Sequence, residues 1–281
     1  MSLAEIFGYI SSILMGISLG LIGGGGSILT VPIFVYLFGI DPMVSTAYSL
    51  FVVGVTAAVG GVQAYMKNQV DLVKGTIFAA PSFLGVYLVR AFLVPSLPEQ
   101  IVSFGNFIVT KAILTMTVFA VLMVAASWSM IKSSQSPHSN EVKGYGNDSK
   151  AAQFSAFQRY VLIAVEGLVV GGVTGFVGAG GGFLIIPALV LLTGMPMKLA
   201  VGTSLLIIAV KSLFGFLGDV QKQPWIDWLF LLKIVGIAVM GLFVGASLKA
   251  KVDEKTLKKG FGYFVLVMGV FVLADQIIKM L

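Results

Sequence analysis

The sequence has no cysteine, one histidine and few charges. Without cysteine there are no disulfides, thiolate metal sites or thiol relays. The histidine, His138, lies in a polar stretch, which leaves neither a multi-histidine metal centre nor a histidine-based catalytic group within the apolar regions. Only 11% of the 281 residues are charged, against roughly a quarter in soluble domains. The apolar regions hold no nucleophile with its base and no carboxylate pair at catalytic spacing, so the chain does not read as an enzyme. It also lacks a nucleotide-binding fingerprint, which argues against an ATP-driven pump within this chain. No cofactor and no nucleic-acid partner is called for.

What the chain does have is hydrophobic length. Some 58% of residues are hydrophobic, and runs such as Ala112 to Ala126 recur from end to end. These runs are helix-like and too long for the roughly ten-residue alternating strands of an outer-membrane barrel. The expected fold class is an all-α polytopic membrane protein, placed in the cell membrane of a prokaryote with lipid as its surroundings. The N-terminus has no basic region before its first apolar run, so no cleaved signal peptide is expected.

A polar stretch from Lys132 to Lys150, rich in Ser, Asn, Gly and Lys, divides the chain. It reads as a solvated linker. The expected organisation is a first transmembrane repeat at 1–131, a cytoplasmic linker at 132–154 and a second repeat at 155–281. The halves echo each other. The stretch GLIGGGGSILTVP, Gly20 to Pro32, returns as GFVGAGGGFLIIP, Gly175 to Pro187, 155 residues later without a gap. The register continues through Gly39 with Gly194, Ser49 with Ser204 and Gly60 with Gly215, and one residue out of step it pairs Asp71 with Asp227. An ungapped register over about forty residues points to duplication.

Each half reads as five apolar segments: about 5–22, 27–39, 43–66, 72–94 and 104–131, then about 156–177, 182–194, 198–219, 226–249 and 257–279. At about 1.5 Å per residue, the short second segments cover about 20 Å of a hydrocarbon core about 30 Å thick. An odd number of crossings per half, with the linker inside, puts twelve Lys and Arg residues on the cytoplasmic side, among them Lys67, Lys74, Lys132, Lys198 and the cluster from Lys249 to Lys259. Arg90, Lys222 and Lys279 remain at outer ends. An odd count turns the halves upside down relative to each other, the inverted-repeat architecture of many secondary transporters. Both termini then lie outside.

The glycine runs carry the candidate chemistry. Non-helical backbone at membrane depth survives only where protein or a water-filled cavity satisfies it, and glycine permits the dihedrals of such a break. A helix restarting at Ser27 or Gly182 presents unpaired N–H groups and a partial positive charge, which suits an anion. Two such ends related by inverted symmetry would hold a small anion from opposite sides. The candidate substrate site is Gly23, Gly24, Gly25, Gly26, Ser27 and Thr30 with Gly178, Gly180, Gly181 and Gly182. The competing reading is close packing of helices through small residues.

At these residues the sequence resembles the TauE/SafE family, membrane proteins exporting sulfite or organosulfonates. The resemblance rests on both Gly-rich segments with Pro32 and Pro187, and on STAYSL (Ser45 to Leu50) and AVGTSL (Ala200 to Leu205) downstream. It covers both halves and leaves the substrate open. It implies a secondary transporter, an exporter of a small anion such as sulfite or an organosulfonate. An anion channel and an uptake carrier for carboxylates stay as alternatives. A homo-oligomer is compatible with it.

In those signatures Ser49, Thr203 and Ser204 are candidate cavity liners, with backbone hydrogen bonding as the competing role. Lys211 lies deep, eight residues from Asp219, and is a candidate anion contact or a lysine that reaches an interface or a carboxylate. Glu166 is a candidate partner for Lys211, a proton-coupling carboxylate or a bystander. Lys111 and Lys233 read as snorkelling residues, and Asp71 and Asp227 as helix N-caps.

Overall fold

The computed structural model describes residues 3–104, 107–135, 156–178, 181–182, 184–186, 189, 195–220, 226–248 and 254–280. Eight long helices dominate: α1 (Leu3–Ile22), α2 (Pro42–Met66), α3 (Leu72–Leu88), α4 (Lys111–Gln135), α5 (Ala156–Val177), α6 (Met197–Val220), α7 (Trp228–Leu248) and α8 (Glu254–Met280). Seven helical stretches among the described residues are long and apolar enough to cross a membrane. Large apolar side chains such as Phe7, Leu14, Phe264, Val267 and Ile278 point outward, as lipid contact requires. The chain is a multi-pass membrane protein.

The helix starts follow local chemistry. The Asp41 carboxylate accepts from the Met43 and Val44 amides with Pro42 in the first turn, Asp71 accepts from Lys74 N at 3.0 Å, and Asp227 accepts from Phe230 N at 2.9 Å. Asp71 and Asp227 are thus N-caps, as their positions predict.

Two elements depart from the expected segments. The fifth segment of the first half, expected at 104–131, begins as a hairpin. Strand β1 (Gln100–Phe104) pairs antiparallel with β2 (Phe107–Thr110), and α4 starts only at Lys111. The β-branched run here satisfies its backbone by pairing with itself. At its far end α4 runs on to Gln135, past the expected boundary at 131. The second segment restarts earlier than expected. Winding resumes at Gly24, not Ser27, as a 3-10 turn (Gly24–Leu29), an α turn (Thr30–Pro32) and a π turn (Ile33–Leu37). The Ser27 hydroxyl closes that first turn by donating to Gly24 O at 2.7 Å.

The helices pack in four pairs: α2 with α6 at the centre, α1 with α7, α3 with α5, and α4 with α8. Glycines set the close approaches. A Cβ at Gly16 would overlap the Ala238 carbonyl, and one at Gly20 the Leu242 carbonyl; Gly171 stands in the same way against Ser82 and Gly175 against Val86. These two sets interconvert when the halves are exchanged, adding 155 in α1 and subtracting 156 in α7. Hydrogen bonds repeat likewise. Asp71 N donates to Thr203 Oγ1 at 2.9 Å, and Asp227 N donates to Tyr48 Oη at 2.9 Å, where Tyr48 and Thr203 are repeat mates. In the central pair Gly54 meets Leu213 and Gly61 meets Leu206, so the repeat mates α2 and α6 run antiparallel.

Candidate functional site

The first break is a single residue, Gly23, whose φ of 79° lies in the left-handed region that favours glycine. Its repeat mate Gly178 has φ 73°, and Gly181 has φ 69°. Gly23 faces Val201 and Gly178 faces Thr46, which are again repeat mates. The two breaks meet in the interior. Gly24 and Gly182 lie backbone against backbone, so that a Cβ on either would overlap the other. Gly26 backs onto the α1 backbone at Met15 and Leu19. Gly25 belongs to the 3-10 turn, and Gly180 lies outside the described residues. The anion-sized gap expected between the restarting ends is absent at Gly24 and Gly182, because four glycines remove the side chains that would hold the segments apart.

The hydroxyls divide into engaged and unengaged sets. Ser27 is tied to Gly24, Ser204 donates to Val201 O at 2.8 Å, and Thr203 accepts from the Asp71 amide. Thr30 and Ser49 are fully buried and their hydroxyls have no hydrogen-bond partner. Thr30 lies in the broken segment itself and Ser49 in α2; the hydroxyls of Ser18, Ser82, Thr117 and Ser212 are likewise buried without a partner.

Lys211 is 1% exposed. It reaches no interface and no carboxylate among the described residues. Its ammonium donates to Thr174 Oγ1 at 2.9 Å and lies against Gly181, where any Cβ would collide with it. Its repeat mate Thr56 merely donates to Val52 O at 2.7 Å, so the charge is present on one half only. Glu166 does not pair with Lys211. It lies eight residues, about 12 Å of helix, from Thr174 on α5, and its buried Oε2 has no partner. Lys233 is exposed, whereas Lys111 is buried at 9% exposure.

Arg90, expected at an outer end, is buried and has partners that the sequence did not show. Arg90 lies in a π turn (Val89–Leu93) that continues α3, and it is 2% exposed. Nε donates to Gly175 O, Nη1 pairs with Asp219 at 3.0 Å, and Nη2, beside Gly178 and Thr46, has no partner. Two cations, Arg90 and Lys211, therefore flank the second break, and the described residues place none against Gly23, Gly24 or Gly26. One sequence signal was available: the repeat mates of Arg90 and Asp219 are Ala246 and Ala64, a local loss of symmetry.

The profile of the family described as Sulfite exporter TauE/SafE matches residues 9–272. A probable membrane transporter protein of Xylella fastidiosa is 27% identical over 264 residues, covering 92% of this chain and 91% of its own. The probable membrane transporter protein YunE of Bacillus subtilis is 30% identical over 249 residues, covering 84% and 85%. One from Methanocaldococcus jannaschii is 31% identical over 116 residues, 39% of this chain and 43% of its own. No solved structure matches the chain. The chain belongs to the TauE/SafE family of membrane transporters.

Proposed function

We propose that the protein is a secondary carrier exporting a small anion, sulfite or an organosulfonate, bound near the meeting point of the two broken segments. The observation that carries this reading is Lys211: a buried ammonium held against Gly181 with a hydroxyl as its hydrogen-bond partner and, among the described residues, no carboxylate to neutralise it. Charge at membrane depth is expensive and is retained for a function. A small anion supplies the missing countercharge, and the unsatisfied hydroxyl of Thr30 supplies a polar contact in the first broken segment. The steric closure at Gly24 and Gly182 supports a carrier that occludes its path over a pore that stays open.

The reading takes the halves, 1–131 and 155–281 about a linker at 132–154, as inverted repeats. Two observations support it: contacts that interconvert on exchange of the halves, and the antiparallel course of α2 and α6. Alternating access then amounts to rocking one half against the other about the breaks.

Lys211→Met keeps the length and apolar bulk of the stem and deletes the charge. It is expected to weaken sulfite or sulfoacetate binding at least tenfold in purified protein while leaving the thermal midpoint unchanged or raised, because a buried charge is removed. Unchanged affinity with normal folding removes Lys211 from the site. Glu166, with an unpartnered buried oxygen, is the proposed proton-coupling group. Glu166→Gln is expected to abolish stimulation of flux by an imposed pH gradient in reconstituted vesicles while gradient-free exchange persists; retained stimulation excludes that role.

A further inference from the structure

The two faces of the central helix pair differ in one respect. On the face that carries Lys67, a cleft opens between α1, α2, α6 and α7, lined among others by Gly20, Gln63, Ala64, Val201 and Ala246. Exchange of the halves maps these residues onto Gly175, Gly218, Asp219, Thr46 and Arg90. Where Ala64 and Ala246 line the cleft, Asp219 and Arg90 stand at the equivalent positions as an ion pair 3.0 Å long whose side chains are 12% and 1% exposed. Arg90 also pins Gly175 O, the mate of cleft-lining Gly20. Two charged side chains thus stand at positions where the other face carries alanine.

The guanidinium is not saturated. Nη2 is buried without a partner and points at the junction of Gly178 and Thr46, on the second break. A planar guanidinium presents its donors as a fork matched to two oxygens on one centre, a geometry that a halide cannot use. Separating Arg90 from Asp219 with nothing in exchange would cost the buried guanidinium its carboxylate in a low-dielectric interior. An anion with at least two oxygens on one atom removes that difficulty by taking the place of the carboxylate on the guanidinium.

Building on the transport reading above, we propose that Arg90 is an oxyanion receptor that doubles as a latch. Its guanidinium closes one face through Asp219, and exchange of that carboxylate for a sulfite, sulfonate or carboxylate group of the substrate opens it. The substrate class is accordingly a multi-oxygen anion and excludes halides.

The absence of cysteine allows a direct test. Gly218 has room for a Cβ, its nearest neighbour being Arg90 Cβ at 3.5 Å, and its repeat mate Gln63 lines the open cleft. Single-cysteine chains Gly218→Cys and Gln63→Cys, in membranes, are labelled with an impermeant maleimide from each side. Gln63→Cys is expected to react at least tenfold faster than Gly218→Cys. Millimolar methanesulfonate or sulfoacetate is expected to raise the Gly218→Cys rate at least threefold, and chloride at equal ionic strength is expected to leave it unchanged. In an Arg90→Ala/Asp219→Ala background, Gly218→Cys is expected to react at the Gln63→Cys rate with or without anion. Alanine at both positions already folds on the opposite face, so this background remains a usable protein. Arg90→Lys is expected to keep the face closed and to lose the anion response. Equal labelling of the two cysteines in the parent chain overturns the proposal, as does protection that survives the double substitution. An identical response to chloride, or none to either oxyanion, also overturns it. If sulfite flux is intact while labelling never responds, the latch fails and the transport reading stands. If labelling behaves as expected but no anion is carried, the transport reading fails instead.

Discussion

Gly24→Ala is expected to reduce anion flux below a tenth of the parent rate, and Gly24→Leu to abolish it, with both proteins still inserted in the membrane. The cause is the contact between the two breaks. A Cβ on Gly24 falls onto the backbone of Gly182, and one on Gly182 meets Gly24 together with the end of Ile208. Both partners at the first contact are main chain, so no rotamer change relieves the overlap and the segments must separate. Overpacking of this kind costs about 1–3 kcal/mol for a small insertion. Function suffers more than stability, because the same contact closes the path and stands beside the cations of the second break. Gly236→Ala is the control. Nothing lies within 4 Å of its Cβ position, and it sits inside α7. Alanine there is expected to leave flux unchanged and to favour the helix by up to about 1 kcal/mol. Flux by Gly24→Ala equal to that of Gly236→Ala, in vesicles with matched protein content, removes the meeting of the breaks from the mechanism.

The break itself was legible in the sequence, since four adjacent glycines followed by Pro32 have no use inside a straight span. Its winding was not. Glycine is a poor helix former in general, yet Gly24 and Gly26 are wound into a 3-10 turn because the Ser27 hydroxyl ties back to Gly24 and the opposing segment leaves no room for anything larger. The apolar segments and the duplication could be read from hydropathy and spacing alone, and the caps at Asp71 and Asp227 from their position before apolar runs. The hairpin at 100–110 was hidden because Ile101, Val102, Ile108 and Val109 merge with the apolar run of α4. The β-branched residues on either side of a Gly-Asn dipeptide were the overlooked sign. Lys211 was conspicuous as a charge in an apolar run. That its partner is Thr174 and not Glu166 depends on the rotation of α5 against α6, which no pattern in one chain encodes. The partners of Arg90 were hidden for a related reason: a charge near the end of an apolar segment ordinarily snorkels, and its countercharge lies 129 residues away in the other half.

That ion pair leads to the second large effect. Arg90→Ala alone is expected to destabilise the protein by about 3–5 kcal/mol, the usual result of removing one partner of a buried pair. Asp219 would keep its carboxylate in a site only 12% exposed, and Gly175 O would lose the Nε donor. Arg90→Ala/Asp219→Ala is expected to recover at least half of that loss, about 1.5–2.5 kcal/mol, because neither member of the pair is left behind and because Ala246 and Ala64 fill the equivalent positions on the other face. The coupling energy is that recovery plus the cost of Asp219→Ala alone, and a nonzero value marks residues in one hydrogen-bonded network. Thermal or denaturant unfolding of the parent, both single variants and the double variant in one detergent closes the cycle. If the double variant is as unstable as the sum of the singles, the two residues act independently. The pair would then be neither a structural closure nor a contact that an incoming anion could exchange. If instead Asp219→Ala costs as much as Arg90→Ala while the double variant recovers, the two residues act as one unit, and an oxyanion that takes over the guanidinium replaces the carboxylate's part in it.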